Sequence, residues 1–220
     1  MSILAPSIGI LWQVIESYGL DPEPYFAHEG IEIHWPVEPG TRLPYEAVDR
    51  IRARAAADSG DAAFGLRAAQ FVHPSQLGAL GYVFLASPTL RSAFVCMQRY
   101  IRVLNDRARF EVDVRDGRVV TSLSVEQDTE NEVARDDAQI AYLLTLCRIN
   151  AGRDFNPVEV WFRHGEPGDA NPYAALFRCP VTFGAERNAL AVTRPVRPLS
   201  RMVRRALATC SAEVSSPWTR

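Results

Sequence analysis

Lysine is missing from this chain. All 24 of the basic residues among its 220 are arginine. That excludes a Schiff base to a cofactor aldehyde, a P-loop lysine and a lysine general base. Cysteine is sparse: Cys96, Cys147, Cys179 and Cys210 stand far apart, with no C-x-x-C pair. Neither a zinc site nor a dithiol redox centre follows, and the four read as reduced, mostly buried thiols. The histidines, His28, His34, His73 and His164, show no metal-binding spacing, so no metal and no cofactor is expected. No nucleophile elbow and no carboxylate pair brought together by spacing is visible, and the chain is expected not to be an enzyme. Long apolar runs are lacking too. The stretch Ile140 to Leu146 is far shorter than the roughly 20 residues of a membrane span. Met1 to Leu11 has no cationic start and no small-residue cleavage site. The expectation is a cytoplasmic protein without membrane contact. A net charge of −2 gives no global attraction to nucleic acid, so any DNA contact is local or lies elsewhere.

What is present suits one main domain with a small appendage, since 47% of residues are hydrophobic and 23% charged, an ordinary globular balance. Ser7 to Tyr18 carries Ile10, Leu11, Val14 and Ile15 at helical spacing, with Gly19 as the stop. A second helical piece is expected around Tyr25 to Glu29, followed by an extended Ile31 to Trp35. Pro44 suits a first helical position before the stripe Val48, Ile51, Ala55 and Ala56. Asp61 can cap a short segment to Gln70, and Ser75 opens a helix lined by Leu77, Leu80 and Phe84. Gly78 and Gly81 within that helix imply a close crossing by another element or a ligand. Ser87 as cap and Pro88 as first residue introduce a helix with the stripe Leu90, Phe94, Met97, Ile101 and Leu104.

The period then changes from 3.6 to 2. Ala108, Phe110, Val112 and Val114 alternate with charged residues, Asp116-Gly117 makes a hairpin turn, and Val119, Thr121, Leu123 and Val125 return. The acids between Glu126 and Asp137 read as the N-terminal end of a long helix, with Ile140, Leu143, Leu144 and Cys147 buried and Gly152 at its end. A strand Val158 to Arg163, a short helix Asn171 to Phe177, and strands Pro180 to Phe183 and Ala189 to Val192 complete the pattern. The fold class expected is α+β: a helical part over 1–106, then an antiparallel or mixed sheet packed against helices over 107–199.

In this order the sequence resembles a known family. Phe64-Gly65-Leu66-Arg67, His73 through Gly81-Tyr82, Ser87-Pro88-Thr89-Leu90 with Ala93-Phe94, and Arg99-Tyr100 look like the N-terminal effector domain of one AraC-type regulator subfamily. Pro157-Val158 with Phe162-Arg163-His164, Pro180-Val181, and Phe183-Gly184-Ala185 with Asn188-Ala189-Leu190 continue the likeness, which covers roughly Ile8 to Leu199. The resemblance implies an effector-binding and dimerisation domain over 1–199 that works as a homodimer on a small-molecule effector. It also implies transcription regulation through an attached unit of two helix-turn-helix motifs. After Leu199 only one helical stretch, Ser200 to Ala212, is foreseen, so 200–220 reads as a linker toward a DNA-reading domain absent from this chain. The "arabinose-binding" label of the family comes from a namesake built on a cupin barrel. The helix-rich pattern does not look like a cupin, and arabinose is not carried over. A standalone binding or interaction module, including a cyclic-dinucleotide receptor, is the alternative.

Six residues are candidates for the effector site. Trp161 shares a strand face with Glu159 and Arg163 if Val158, Val160 and Phe162 face the core. A tryptophan among charges fits a pocket wall, or plain packing under a flanking helix. Arg109 and Glu111 would share that face if their strand lies beside that of Trp161, and could grip an acidic or zwitterionic ligand, or simply form a solvated face. Tyr82 and Tyr100 could offer hydroxyls, or be core residues with a hydrogen-bonded tip. Arg194, Arg197, Arg201, Arg204 and Arg205 form a basic run that suggests phosphate binding, a basic linker near DNA or a solvated helix face. Arginine pairs four apart are no more frequent than so arginine-rich a chain gives by chance.

Overall fold

The structure is a computed structural model describing residues 1–34, 37–38, 40–125 and 132–193. Seven α-helices and seven strands are found among these residues. In chain order they are β1 (Ser2–Leu4), α1 (Gly9–Ser17), α2 (Glu23–His28), β2 (Arg42–Pro44), α3 (Tyr45–Ser59), α4 (Ala79–Ala86), α5 (Leu90–Tyr100), β3 (Ala108–Arg115), β4 (Arg118–Val125), α6 (Glu132–Ala151), β5 (Glu159–Trp161), α7 (Asn171–Phe177), β6 (Val181–Thr182) and β7 (Ala189–Thr193). The 3-10 segments Ala5–Ile8, Phe64–Gln70, Pro74–Leu77 and Ile101–Val103 join them.

The five-stranded sheet runs β3-β4-β7-β5-β6, antiparallel except for the parallel pair β5 and β6. Its β3–β4 hairpin turns on Asp116 (φ 50°) and Gly117 (φ 72°), the two positive φ values that a type I′ connection requires. Val160, Phe162, Leu190 and Phe110 face helices α5, α6 and α7 in one hydrophobic core. The architecture is the expected α+β with a mixed, open sheet and no closed barrel.

A second core lies in the N-terminal part, where Ile8, Leu11, Ile15, Phe26, Ile51 and Phe64 pack together. Between the two cores runs α6. Ile140, Leu143, Leu144 and Cys147 sit inside the sheet core, while Ala134, Ala138 and Tyr142 pack against the N-terminal one. Burial raises the Cys147 thiol far above its ordinary pKa and pushes Cys179 up to about 11, which leaves both unreactive thiols at neutral pH. Cys210 lies outside the described residues, as do the basic run from Arg194 to Arg205 and the helix foreseen over Ser200 to Ala212.

Several local expectations change. Two short strands, β1 and β2, pair within the N-terminal part; three residues are too few for an alternation to register. Pro44 therefore ends a strand with ψ 124° instead of opening a helix, and α3 starts at Tyr45. The helix foreseen from Ser75 divides at Gly78 (φ 55°, ψ −140°) into a 3-10 turn and α4. Gly81 is close-packed as expected, but by the chain's own preceding turn: a Cβ there would lie 1.8 Å from the Pro74 carbonyl oxygen. The cap of α5 is Thr89, not Ser87. Thr89 Oγ1 accepts from the Ser92 amide at 3.1 Å and Ser92 Oγ from the Thr89 amide at 3.1 Å, a reciprocal box that fixes the start two residues later. Tyr100 ends α5, so Leu104 follows it beyond a 3-10 turn. The strand expected from Val158 to Arg163 is regular only over β5, and Ile31 to His34 pairs with no strand.

Candidate functional site

The two cores do not close completely on each other. A cavity of ≈ 180 Å³ lies between them, somewhat larger than the roughly 150 Å³ space that stays dry and takes benzene in an engineered protein. Ile8, Leu11 and Val14 from the first helical segments, Val48 from α3, and Met97 and Phe110 from the sheet side give it an apolar wall. One face of α6 supplies another side: Ala134, Arg135, Ala138, Gln139, Tyr142 and Leu143 all line it, at the spacing of neighbouring positions on one helix surface. Gly65 and Ala68 bring the 3-10 segment Phe64–Gln70 close alongside. A Cβ on Gly65 would meet the Ala134 carbonyl oxygen at 2.2 Å.

The polar part of this wall is built in two ways. A buried ionic group ties α3 to α6: Asp49 accepts from Arg52 at 2.7 Å and from Arg135 at 3.4 Å, and Arg135 Nε faces Asp136 at 3.4 Å. Among the described residues two guanidinium groups meet two carboxylates, the pairing that such deep burial requires. Beside them, the Tyr45 hydroxyl, the Gln139 Oε1 and the Tyr142 hydroxyl are buried without a hydrogen-bond partner among the described residues. Burial raises the pKa of Tyr45 and of Tyr142, so both phenols are neutral donors. Buried polar atoms normally find partners, and three unmet ones on one cavity wall mark it as different from ordinary packing.

A second polar cluster closes the far side of α6. Asp137, fully buried, accepts from the Tyr173 hydroxyl at 2.6 Å and meets His164 Nε2 at 3.1 Å. His164 Nδ1 lies 2.9 Å from the Gly165 carbonyl oxygen. Because a carbonyl only accepts, Nδ1 carries a hydrogen, and a further proton must lie between Nε2 and Asp137. The pair is either imidazolium–carboxylate or imidazole–carboxylic acid. Burial raises the Asp137 pKa, and the hydrogen bonds from His164 and Tyr173 only partly offset this. For His164, burial opposes protonation, but Asp137 and Gly165 outweigh it and its pKa rises. Phe162, Phe183 and Tyr173 enclose the imidazole. The cluster reads as a joint fixing α6 to β5 and α7; it does not line the cavity. Neither it nor the cavity was foreseen. Asp137 was read as one of several helix-dipole acids, and His164 as a lone residue after a strand.

None of the six candidate residues lines the cavity. Tyr82 on α4 is 55% exposed and Tyr100 at the end of α5 is 43% exposed, so neither is a core tyrosine. Arg109 and Glu111 are exposed on β3. Trp161 is half-buried on β5 and borders a surface depression with Ala185, Glu186 and Arg187. Arg163, exposed, follows it and its amide donates to Asn188 Oδ1 at 2.8 Å. The faces are as expected, with Val160 and Phe162 turned to the core. The adjacency is not: β4 and β7 separate β3 from β5. Glu111 and Trp161 stand in one cross-strand row through Ser122 and Ala189, about 14 Å apart at three strand spacings, too far to share a small ligand.

The structure is thus an open α+β domain with a largely apolar cavity between two cores. The comparisons place it: residues 19–196 match the family described as the arabinose-binding domain of AraC transcription regulator, N-terminal, and the chain belongs to that family. An ornithine utilization regulator of Pseudomonas aeruginosa is 26% identical over 177 residues, covering 79% of this chain and 51% of that protein. The crystal structure of the transcriptional regulator CdpR from Pseudomonas aeruginosa shares the fold with TM-score 0.62 at 14% identity, over 87% of this chain and 57% of its own. The chain thus spans about half the length of these relatives. No helix among the described residues is long and apolar enough to cross a membrane.

Proposed function

We propose that this regulatory domain senses a small-molecule effector in the cavity between its two cores. Occupancy would be passed to a DNA-reading part of the intact regulator, the domain working as a cytoplasmic homodimer without catalysing a reaction. The observation that carries the reading is the position of the cavity. Its wall includes both cores and the long helix they share, so a bound molecule touches parts whose relative placement could change. A ligand shifts an equilibrium only through differential affinity for two arrangements, and a junction offers more of it than a surface depression. We therefore place the effector here and not beside Trp161, Arg163, Arg109 and Glu111, nor at Tyr82 or Tyr100.

A thermal-shift screen tests this, because a ligand at about 100 times its Kd stabilises by about 2.7 kcal/mol. Hits should lose their effect in Ala138→Phe, which fills the cavity, and keep it in Trp161→Ala. A hit unaffected by Ala138→Phe but lost in Trp161→Ala would move the site to the sheet face, and turnover of a hit would contradict the non-catalytic reading.

A further inference from the structure

Resting on the cavity as effector site, we infer that its ligand is a small, uncharged, largely apolar molecule with a single hydrogen-bonding head group, such as a phenol, an alcohol or a primary amide. Size is the first constraint. A cavity of ≈ 180 Å³ holds about six to ten non-hydrogen atoms, given that roughly 150 Å³ takes benzene. The wall is the second. The lining is largely apolar, with Ile8, Leu11, Val14, Val48, Met97 and Phe110 beside a few polar side chains such as Ser7, Asn105, Gln139 and Tyr142, so a sugar or a basic amino acid carries more polar groups than the wall can partner, each unmet one at a cost.

The third constraint is what the wall asks for. Gln139 Oε1 is an acceptor in want of a donor, while the hydroxyls of Tyr45 and Tyr142 can each donate. Gln139 and Tyr142 are three residues apart on α6, hence neighbours on its surface. Tyr45, at the start of α3, lies close enough to Arg135, one turn before Gln139, for the two to interact electrostatically. A head group that both donates and accepts satisfies this set, whereas a hydrocarbon leaves it unmet. The head group should also be neutral. Among the described residues the guanidinium groups of Arg52 and Arg135 already meet Asp49 and Asp136, so a carboxylate or ammonium would be buried against charged groups that are engaged elsewhere.

The test is calorimetric titration of the chain with p-cresol, toluene, L-arabinose and L-ornithine. Binding of p-cresol at or below about 1 mM is expected, with toluene weaker and the sugar and amino acid silent. Gln139→Leu and Tyr142→Phe should each weaken p-cresol about threefold to tenfold and leave toluene unchanged or improved; these near-isosteric changes keep the fold testable if a bulkier variant misfolds. Arabinose or ornithine binding that Ala138→Phe abolishes would overturn the ligand class while upholding the cavity site. Binding of any probe that is indifferent to Ala138→Phe would overturn the site itself. Silence of p-cresol, as when ordered water already satisfies the three atoms, would overturn the class.

Discussion

Residue-level chemistry here is governed by one buried proton. The ring of His164 must donate to Gly165 through Nδ1, so the contact between Nε2 and Asp137 holds only while a proton lies in it. In the unfolded chain a histidine loses its proton near pH 6.5 and an aspartate near 3.9; both folded values are raised. Above about pH 4 the unfolded chain has given up its aspartate proton while the folded pair, both of its values raised, holds at least as many protons, so its contribution to stability does not rise with pH. Above about 6.5 the unfolded state releases its proton and the folded state keeps it, so stability falls with rising pH by up to about 1.4 kcal/mol per unit until the folded pair titrates. Asp137→Asn removes this dependence without removing the bonds. Its amide can donate to a neutral imidazole and its carbonyl accept from Tyr173. Urea denaturation between pH 6 and 9 should show a flatter profile for the variant, and an unchanged slope would mean that the pair carries no linked proton.

At the scale of elements, a tight joint between distant parts of the chain is the crossing of α6 by the 3-10 segment Phe64–Gln70. Gly65→Ala would place a methyl 2.2 Å from the Ala134 carbonyl oxygen and 2.6 Å from Asp137 Cβ. Neither can rotate away, so the elements must separate, at a cost of about 1–3 kcal/mol. Gly165→Ala, with no atom within 4 Å, is the control and should stay within about 0.5 kcal/mol; thermal unfolding of the two variants makes the comparison. This joint shows what the sequence could reveal. The β3–β4 hairpin, α5 and the α6 stripe were legible because each writes its period over several turns or pairs. The cavity face of α6 was not, because Arg135, Gln139 and Tyr142 are residue types that a single sequence assigns to solvent. Only the N-terminal core packed over them, built from residues far earlier in the chain, from Ile8 to Phe64, makes that face interior. Strand order was equally hidden: the alternation put Trp161 and Arg109 on faces but could not say that two strands lie between them.

For the whole molecule, the shared helix decides cooperativity. Neither core can open without stripping one face of α6, and losing the N-terminal core parts Arg135 from Asp49 within a buried ionic group. The cavity works the other way, since its lining atoms lack contacts on one side. The unliganded domain is therefore held together chiefly along α6 and weakly across the gap, and filling the gap adds contacts to both cores at once. Native-state hydrogen exchange reads this directly. Amides of Ile15 and Ile51 in one core and of Leu144 and Leu190 in the other should open with similar free energies and slow by similar factors when a cavity ligand is bound. Slowing confined to Leu144 and Leu190 would place the ligand away from the junction. Equal slowing would mean that binding stiffens the relation between the cores, the quantity that a regulatory domain can transmit to whatever is attached to it.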